Sequence, residues 1–389
     1  MLSDGKNSKY PYGFLLLYAA TYMTIAIYST FTPIYLDHIG FNKSAIGVLL
    51  AIGTLVSILA QPVWGIASDR AASKNTILKI LMLGSAMIII LFPLSKSFIY
   101  LAVIISVFTL FQSSINPVSD SITLEYLENG RWKFGPIRLA GTLGFALMSV
   151  LAGFLVRQNI EVIFILYFFI TIIAFFTVFQ LPRIPGHQST GNRVPLWRIF
   201  KSRELVILLA FHFIIQVTFG FYYSFFSIYY MQLGADSSLL GLSMFVSSTS
   251  EIPFLLFADK IINKLGIRLT LIASALIISI RWILIYFVTD IHAILLVNAT
   301  HGLSFIVFAF CMATFISKNV PKELRSSGQT MNALLCIGLA RMVGSVIGGV
   351  VSDITGIKQV FLYTSFIGFI AILLFGSIFL FKYKYSREK

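Results

Sequence analysis

Apolar runs about twenty residues long recur along the whole chain, separated by short polar or Gly/Pro-containing breaks. The hydrocarbon core of a bilayer is about 30 Å thick and takes about 20 helical residues to cross, since a backbone in oil must satisfy its own hydrogen bonds. The breaks mark off twelve such segments: 12–36, 44–67, 76–95, 98–125, 134–156 and 161–181, then 204–231, 239–262, 268–288, 291–317, 327–352 and 358–381. Several exceed twenty residues, which implies tilt or protruding ends. The pattern predicts an all-α membrane protein with twelve transmembrane helices. The first run follows MLSDGKNSKYPYG, is longer than a signal-peptide apolar region and has no small-residue cleavage site after it, so it reads as a retained helix.

The longest polar interruption, Leu181 to Glu204, lies near the middle of the chain. It divides the sequence into a six-helix bundle at 1–182, a cytoplasmic linker at 183–203 and a second six-helix bundle at 204–389. The halves echo each other: PVWGIASDR closes span 2 at Asp69-Arg70 and PFLLFADK closes span 8 at Asp259-Lys260, 190 residues later (259 − 69). Repeats related along the membrane normal are a transporter architecture.

Composition sharpens this picture. The chain is 58% hydrophobic and 11% charged, against about a quarter charged in soluble proteins. The net charge of +14 is spread over loops rather than one face, which argues for topology and against nucleic acid. Of 29 Lys and Arg, one set of loops holds only Lys43, Lys96, Arg157 and Lys358. Three more (Arg138, Arg281 and Arg341) fall inside spans, which leaves 22 on the other side. That bias puts both termini in the cytoplasm of a multi-pass protein of the plasma (inner) membrane. Cys311 and Cys336 lie in apolar runs and read as packing residues, with no disulfide framework, metal spacing or cofactor motif. No HExxH, GxSxG or P-loop interrupts the short loops, so an enzyme acting on lipids and an ATP-driven pump are both disfavoured. A monomer is expected.

A charge at mid-membrane costs about 2.5–3.5 kcal/mol or more, so intramembrane charges should pair or face a wet cavity. Residues equally far from a hairpin turn share a depth. Asp120 lies nine residues before Asn129 and Arg138 nine after it; Glu251 lies fifteen before Gly266 and Arg281 fifteen after it. His301 in span 10 falls within one or two helical turns of Arg281 in depth, and Asn298, His301 and Ser304 form one row. One candidate cluster per half emerges: Asp120 with Arg138, and Glu251 with Arg281 and His301. A carboxylate and an imidazole in a semi-dry cavity are candidates for proton loading, although each pair would also serve as a staple between helices. Phe145, two turns beyond Arg138, offers a ring for a substrate, whereas Tyr18 and Tyr22 fit either the cavity or the core. Arg341 suits a cavity or a gate equally. Glu125 and Asp353 read as interfacial and His212 as structural. Glycines in spans 5 and 11, including GxxxG at Gly344–Gly348, allow close helix contact.

The stretch FTPIYLDHIGFNKSAIGVLLAIGTLVSILAQPVWGIASDR, Phe31 to Arg70, resembles the start of major facilitator superfamily transporters of the lactose permease type. Its closing GIASDR resembles that superfamily's Gly-x-x-x-Asp-Arg/Lys loop. The likeness continues through PVSDS, FGPIRLAGTLGF, SEIPF, ISIRW and THGLSF, in order over the full length, and is strongest to the branch with lactose permease and phenylpropionate permease-like proteins. The resemblance implies that Asp120 is the span-4 acid, Arg138 the sugar-binding arginine and Phe145 the stacking aromatic. It likewise implies that Glu251, Arg281 and His301 are the second half's charged site, with Asp69 and Arg70 in a gate. Two positions depart: the proton-releasing acid of span 10 falls at Ser304 and the nearby lysine at Asn298, so coupling would rest on Glu251, Asp120 and His301. The expected function is secondary active, proton-coupled symport of a small organic solute (a sugar, nucleoside or aromatic acid) by alternating access. A proton-driven efflux antiporter for apolar compounds is the alternative.

Overall fold

In a computed structural model, residues 11–128, 132–186, 203–320 and 325–387 are described. Most of the expected linker, residues 187–202, lies outside them. The described chain is helical: α1 (Tyr12–His38), α2 (Lys43–Arg70), α3 (Lys74–Ile89), α4 (Phe98–Glu128), α5 (Phe134–Val156), α6 (Val162–Val178), α7 (Arg203–Gln232), α8 (237–265), α9 (267–287), α10 (Ile291–Asn319), α11 (325–355) and α12 (Ile357–Arg387). Helices α8 and α9 form a continuous stretch of 51 residues, about 76 Å at 1.5 Å per residue and enough for two crossings. Gly266 divides it, with φ 77° and ψ 157°, a conformation that costs glycine little because it has no Cβ. Counting α6, which has 17 residues, the twelve crossings read from the sequence are present among the described residues.

Contacts group the chain into two compact units. One holds residues 1–39, 52–191 and 236–245; the other holds 40–51, 192–235 and 246–389. Helices α2 and α8 therefore each begin in one unit and continue in the other. The first unit packs Phe14, Leu17 and Tyr18 of α1 against Leu78, Leu81 and Met82 of α3 and Ile122 of α4. Its outer surface is apolar: Leu139, Leu143, Leu147 and Leu151 form an exposed stripe on α5, while Ile137, Gly141 and Gly144 are buried. In water such a stripe would drive association; in a bilayer it faces lipid. Gly144 brings α5 onto the backbone of α1 at Ala19, and the start of α8 touches the C-terminal part of α5 at Gly153 with Ser237 and at Gly241 with Ser149.

The second unit is held by an aromatic core in which Trp282 and Phe361 pack around α7 through Tyr222, Phe221 and Tyr229. Gly220 meets the backbone of Arg341, and Gly344 meets Val217. Helices α7 and α11 thus cross at backbone contact, the close approach expected of the span-11 glycines. The start of α2 belongs to this unit: Asp353 of α11 accepts from the Lys43 and Ser44 amides, both at 2.8 Å, and from the Ser44 hydroxyl. A carboxylate at a helix N-terminus is favoured by the unpaired amides and the dipole, so Asp353 caps a neighbouring helix.

Three helices of this unit depart from α geometry. Helix α8 is broken at Ser250, α10 tightens to a 3-10 turn over Ala299–Leu303, and α11 widens to a π-helix over Ala333–Leu339. The even row expected of Asn298, His301 and Ser304 is disrupted by that turn, and the Ser304 hydroxyl bonds the His301 carbonyl instead of joining a polar face.

Candidate functional site

In the first unit, Asp120 follows an interruption of α4 at Ser113–Ser114. Its carboxylate accepts from the hydroxyl of Tyr18, a residue 1% exposed. Tyr18 stacks on Tyr22, with centroids 6.4 Å apart and planes 9° apart, and the Arg138 guanidinium lies 4.2 Å from the Tyr22 ring centre. Gly141 permits this arrangement, because a Cβ there would come 2.7 Å from Tyr22 Cδ2. Asp120 and Arg138 are thus joined through two tyrosines of α1. Phe145 is half-buried on α5.

The Lys- and Arg-rich end of this unit holds a second group. Lys74, buried, donates to Ser121 at 2.9 Å, pairs with Glu125 and lies 3.7 Å from Asp69. Asp69 is therefore tied to the start of α3, and Arg70 is exposed. Asp69 also borders a cavity of ≈ 220 Å³ lined by Gln61, Ser68, Ser114 and Ser121. Sequence reading counted Lys74 as a loop charge; its burial is what it missed.

In the second unit the helix breaks place the charges. Gly302 donates its amide to Ser250 Oγ at 2.8 Å, and a Cβ at Gly302 would run into the Ser250 carbonyl. The broken turns of α8 and α10 therefore cross in contact, which sets Glu251 beside His301. Ser274 of α9 donates to the Leu303 carbonyl at 2.8 Å, satisfying an acceptor the 3-10 turn frees. Arg281 is 1% exposed. Its Nη1 bonds His301 Nδ1 at 2.9 Å, and Nη2 donates to Tyr222 Oη at 2.7 Å and Asn298 Oδ1 at 2.6 Å. The guanidinium lies 4.5 Å from the Tyr222 ring centre.

Arginine only donates. His301 Nδ1 must then accept, and the proton of a neutral ring sits on Nε2. That nitrogen lies 3.7 Å from Glu251 Oε1 and 3.4 Å from Tyr223 Oη. His301 thus lies between Arg281 and Glu251, bringing together the three ionisable residues that the sequence placed at similar depth. Tyr222, Tyr223 and Asn298 complete the group.

Arg341 belongs to it as well. Its guanidinium lies 4.7 Å from the Tyr223 ring centre and 5.0 Å from that of Phe305, and both rings also pack on His301. Arg341 Nε donates to Gln216 Oε1 at 3.1 Å. Gln216 Nε2 meets His212 Nε2 at 3.0 Å, and His212 Nδ1 meets Asn332 Oδ1 at 2.8 Å. His212 is thus a relay in a buried polar chain. Arg281 Nε and Arg341 Nη2 are buried with no hydrogen-bond partner among the described residues.

Comparison with known proteins agrees with this architecture. The chain is 29% identical over 341 residues to the uncharacterized transporter YwbF of Bacillus subtilis, covering 86% of this chain and 84% of that one. It is 25% identical over 366 residues to the maltose permease of Geobacillus stearothermophilus, covering 92% of each. The crystal structure of the nucleoside transporter NupG superposes with a TM-score of 0.83 over 95% of this chain and 98% of that one, at 17% identity, and so shares the fold. Residues 12–363 match the MFS_1 like family. With twelve membrane crossings and these relatives, the chain belongs to the MFS_1 like family and is a transporter of the major facilitator superfamily.

Proposed function

We propose that the protein is a proton-coupled symporter that imports a small organic solute across the plasma (inner) membrane by alternating access, with both termini in the cytoplasm. Relatives named for maltose and for nucleosides support a small organic solute. The solute would be held by Asp120, Arg138 and Phe145 from the first half and by Glu251, Arg281 and His301 from the second. Asp69 and Arg70 would act in the gate, where Asp69 already engages Lys74.

The carrying observation is His301 poised between Arg281 and Glu251. Arg281 fixes its tautomer so that Nε2 carries the proton, with Tyr223 Oη 3.4 Å and Glu251 Oε1 3.7 Å from it. A proton on Glu251 would remove the negative charge facing His301 and leave Arg281 nearer to net positive; proton loss would reverse this. Coupling follows if solute binds one of these charge states better, since a ligand shifts an equilibrium only by its differential affinity. Tyr18 and Asp120 form a comparable acid–phenol pair in the first unit.

Uptake into proteoliposomes, with and without an inward proton gradient, tests the reading. Gradient-driven accumulation is expected in the wild type. Glu251→Gln should lose accumulation while keeping solute exchange at zero gradient. Gradient-independent accumulation, or proton-driven export, would overturn it.

A further inference from the structure

Arg341 has no part in the coupling of His301 and Glu251 proposed above, yet it is a charge inside a membrane helix. Its surroundings are built to hold a guanidinium in one pose. Gln216 receives Nε, and the side-chain orientation of Gln216 is set by His212, which is itself held by Asn332. Tyr223 and Phe305 flank the head group. Gly220 and Gly344 press α7 and α11 into backbone contact at this level, so the side chain's base has no play.

A staple between α7 and α11 would need only the Nε bond. The buried Nη2, which has no partner among the described residues, is surplus to that role. Charge balance points the same way. Around neutral His301 stand two guanidiniums, Arg281 and Arg341, and one carboxylate, Glu251. One positive charge is in excess whichever of them Glu251 faces. The other described carboxylates of this unit are engaged elsewhere or exposed. Glu204 pairs with Arg268, Asp290 caps α10, Asp353 caps α2 and Asp259 is exposed. Uncompensated charge in a poorly solvated site is costly and a bound anion relieves it.

We propose that Arg341 is a substrate-binding residue that makes the site select solutes carrying a carboxylate. Nη2 and its neighbour present a planar fork matched to a carboxylate's two oxygens, and Tyr223 and Phe305 receive the apolar body next to it. This proposal rests on the transport-site reading above and names its substrate class.

Matched pairs of probes test it on the purified full-length protein in nanodiscs: 3-phenylpropionate against 3-phenylpropionamide, benzoate against benzamide, gluconate against glucose. The expected result is that at least one carboxylate binds ten-fold or more tightly than its neutral partner. Arg341→Gln should erase that gap, and Arg341→Lys should restore part of it. Elution profile and melting midpoint without ligand verify that each variant is folded, and the lysine variant carries the test should the glutamine variant fail to fold. The proposal falls if no carboxylate outbinds its neutral partner, or if the gap survives in Arg341→Gln. Arg281→Gln separates the two levels: if it abolishes binding while Arg341→Gln is silent, the site stands and the role of Arg341 is lost. If it leaves binding unchanged, the site reading itself fails.

Discussion

Arg281 shows how a charge is tolerated in a membrane helix. Its partners His301, Tyr222 and Asn298 are neutral, so the guanidinium is solvated by dipoles and rings. Lysine would keep the charge but lose the fork that reaches three partners at once. Arg281→Lys should lose about 2 kcal/mol of interaction, as for a charged hydrogen bond, or about 30-fold in solute affinity, measured by titration against wild type. Counting residues from the hairpin turns was enough to put Arg281, His301 and Glu251 at one depth, because a membrane helix advances by a fixed rise. It could not find Tyr222, Tyr223 or Gln216. They lie in or next to FGFYYSFFSIYY, where nearly every position is apolar or aromatic and no period marks one face. Lys74 escaped for the opposite reason: a lysine at a span end looks solvated whether or not a carboxylate buries it.

At the scale of the helix, the interruptions decide where the chemistry sits. Glu251 begins the segment after the α8 break, His301 lies in the 3-10 turn of α10, and Arg341 follows the π segment of α11. Non-α turns inside membrane helices free backbone groups and are tolerated where protein or a cavity can satisfy them. Gly302→Ala should force α8 and α10 apart at their crossing, since its Cβ would enter the Ser250 carbonyl. Overpacking of this kind costs about 1–3 kcal/mol; the check is a lower melting midpoint together with lost uptake, although Gly302 itself contacts no solute in the proposed site. The twelve crossings were legible because length and hydropathy are one-dimensional signals. The breaks at Ala299 and Ala333 were not, since no proline lies beside them, whereas the break at Ser250 precedes Pro253, whose missing amide frees the Thr249 carbonyl.

At the scale of the whole molecule, the excess of basic residues on one set of loops predicts which ends face the cytoplasm. Ala72, between α2 and α3, and Ser97, between α3 and α4, are exposed at opposite ends of α3, and the native Cys311 and Cys336 are buried, so background labelling should be low. A membrane-impermeant maleimide should label Ser97→Cys in intact cells and Ala72→Cys only after permeabilisation; the reverse would invert the topology. Within that frame, the single-residue reversal at Gly266 has a particular consequence. Because α8 and α9 meet with no loop between them, the chain has no slack there to absorb an insertion or deletion. One residue added to either arm would shift Glu251 against Arg281 by about 1.5 Å and swing it about 100° around its axis. The two arms of this hairpin must therefore keep equal length.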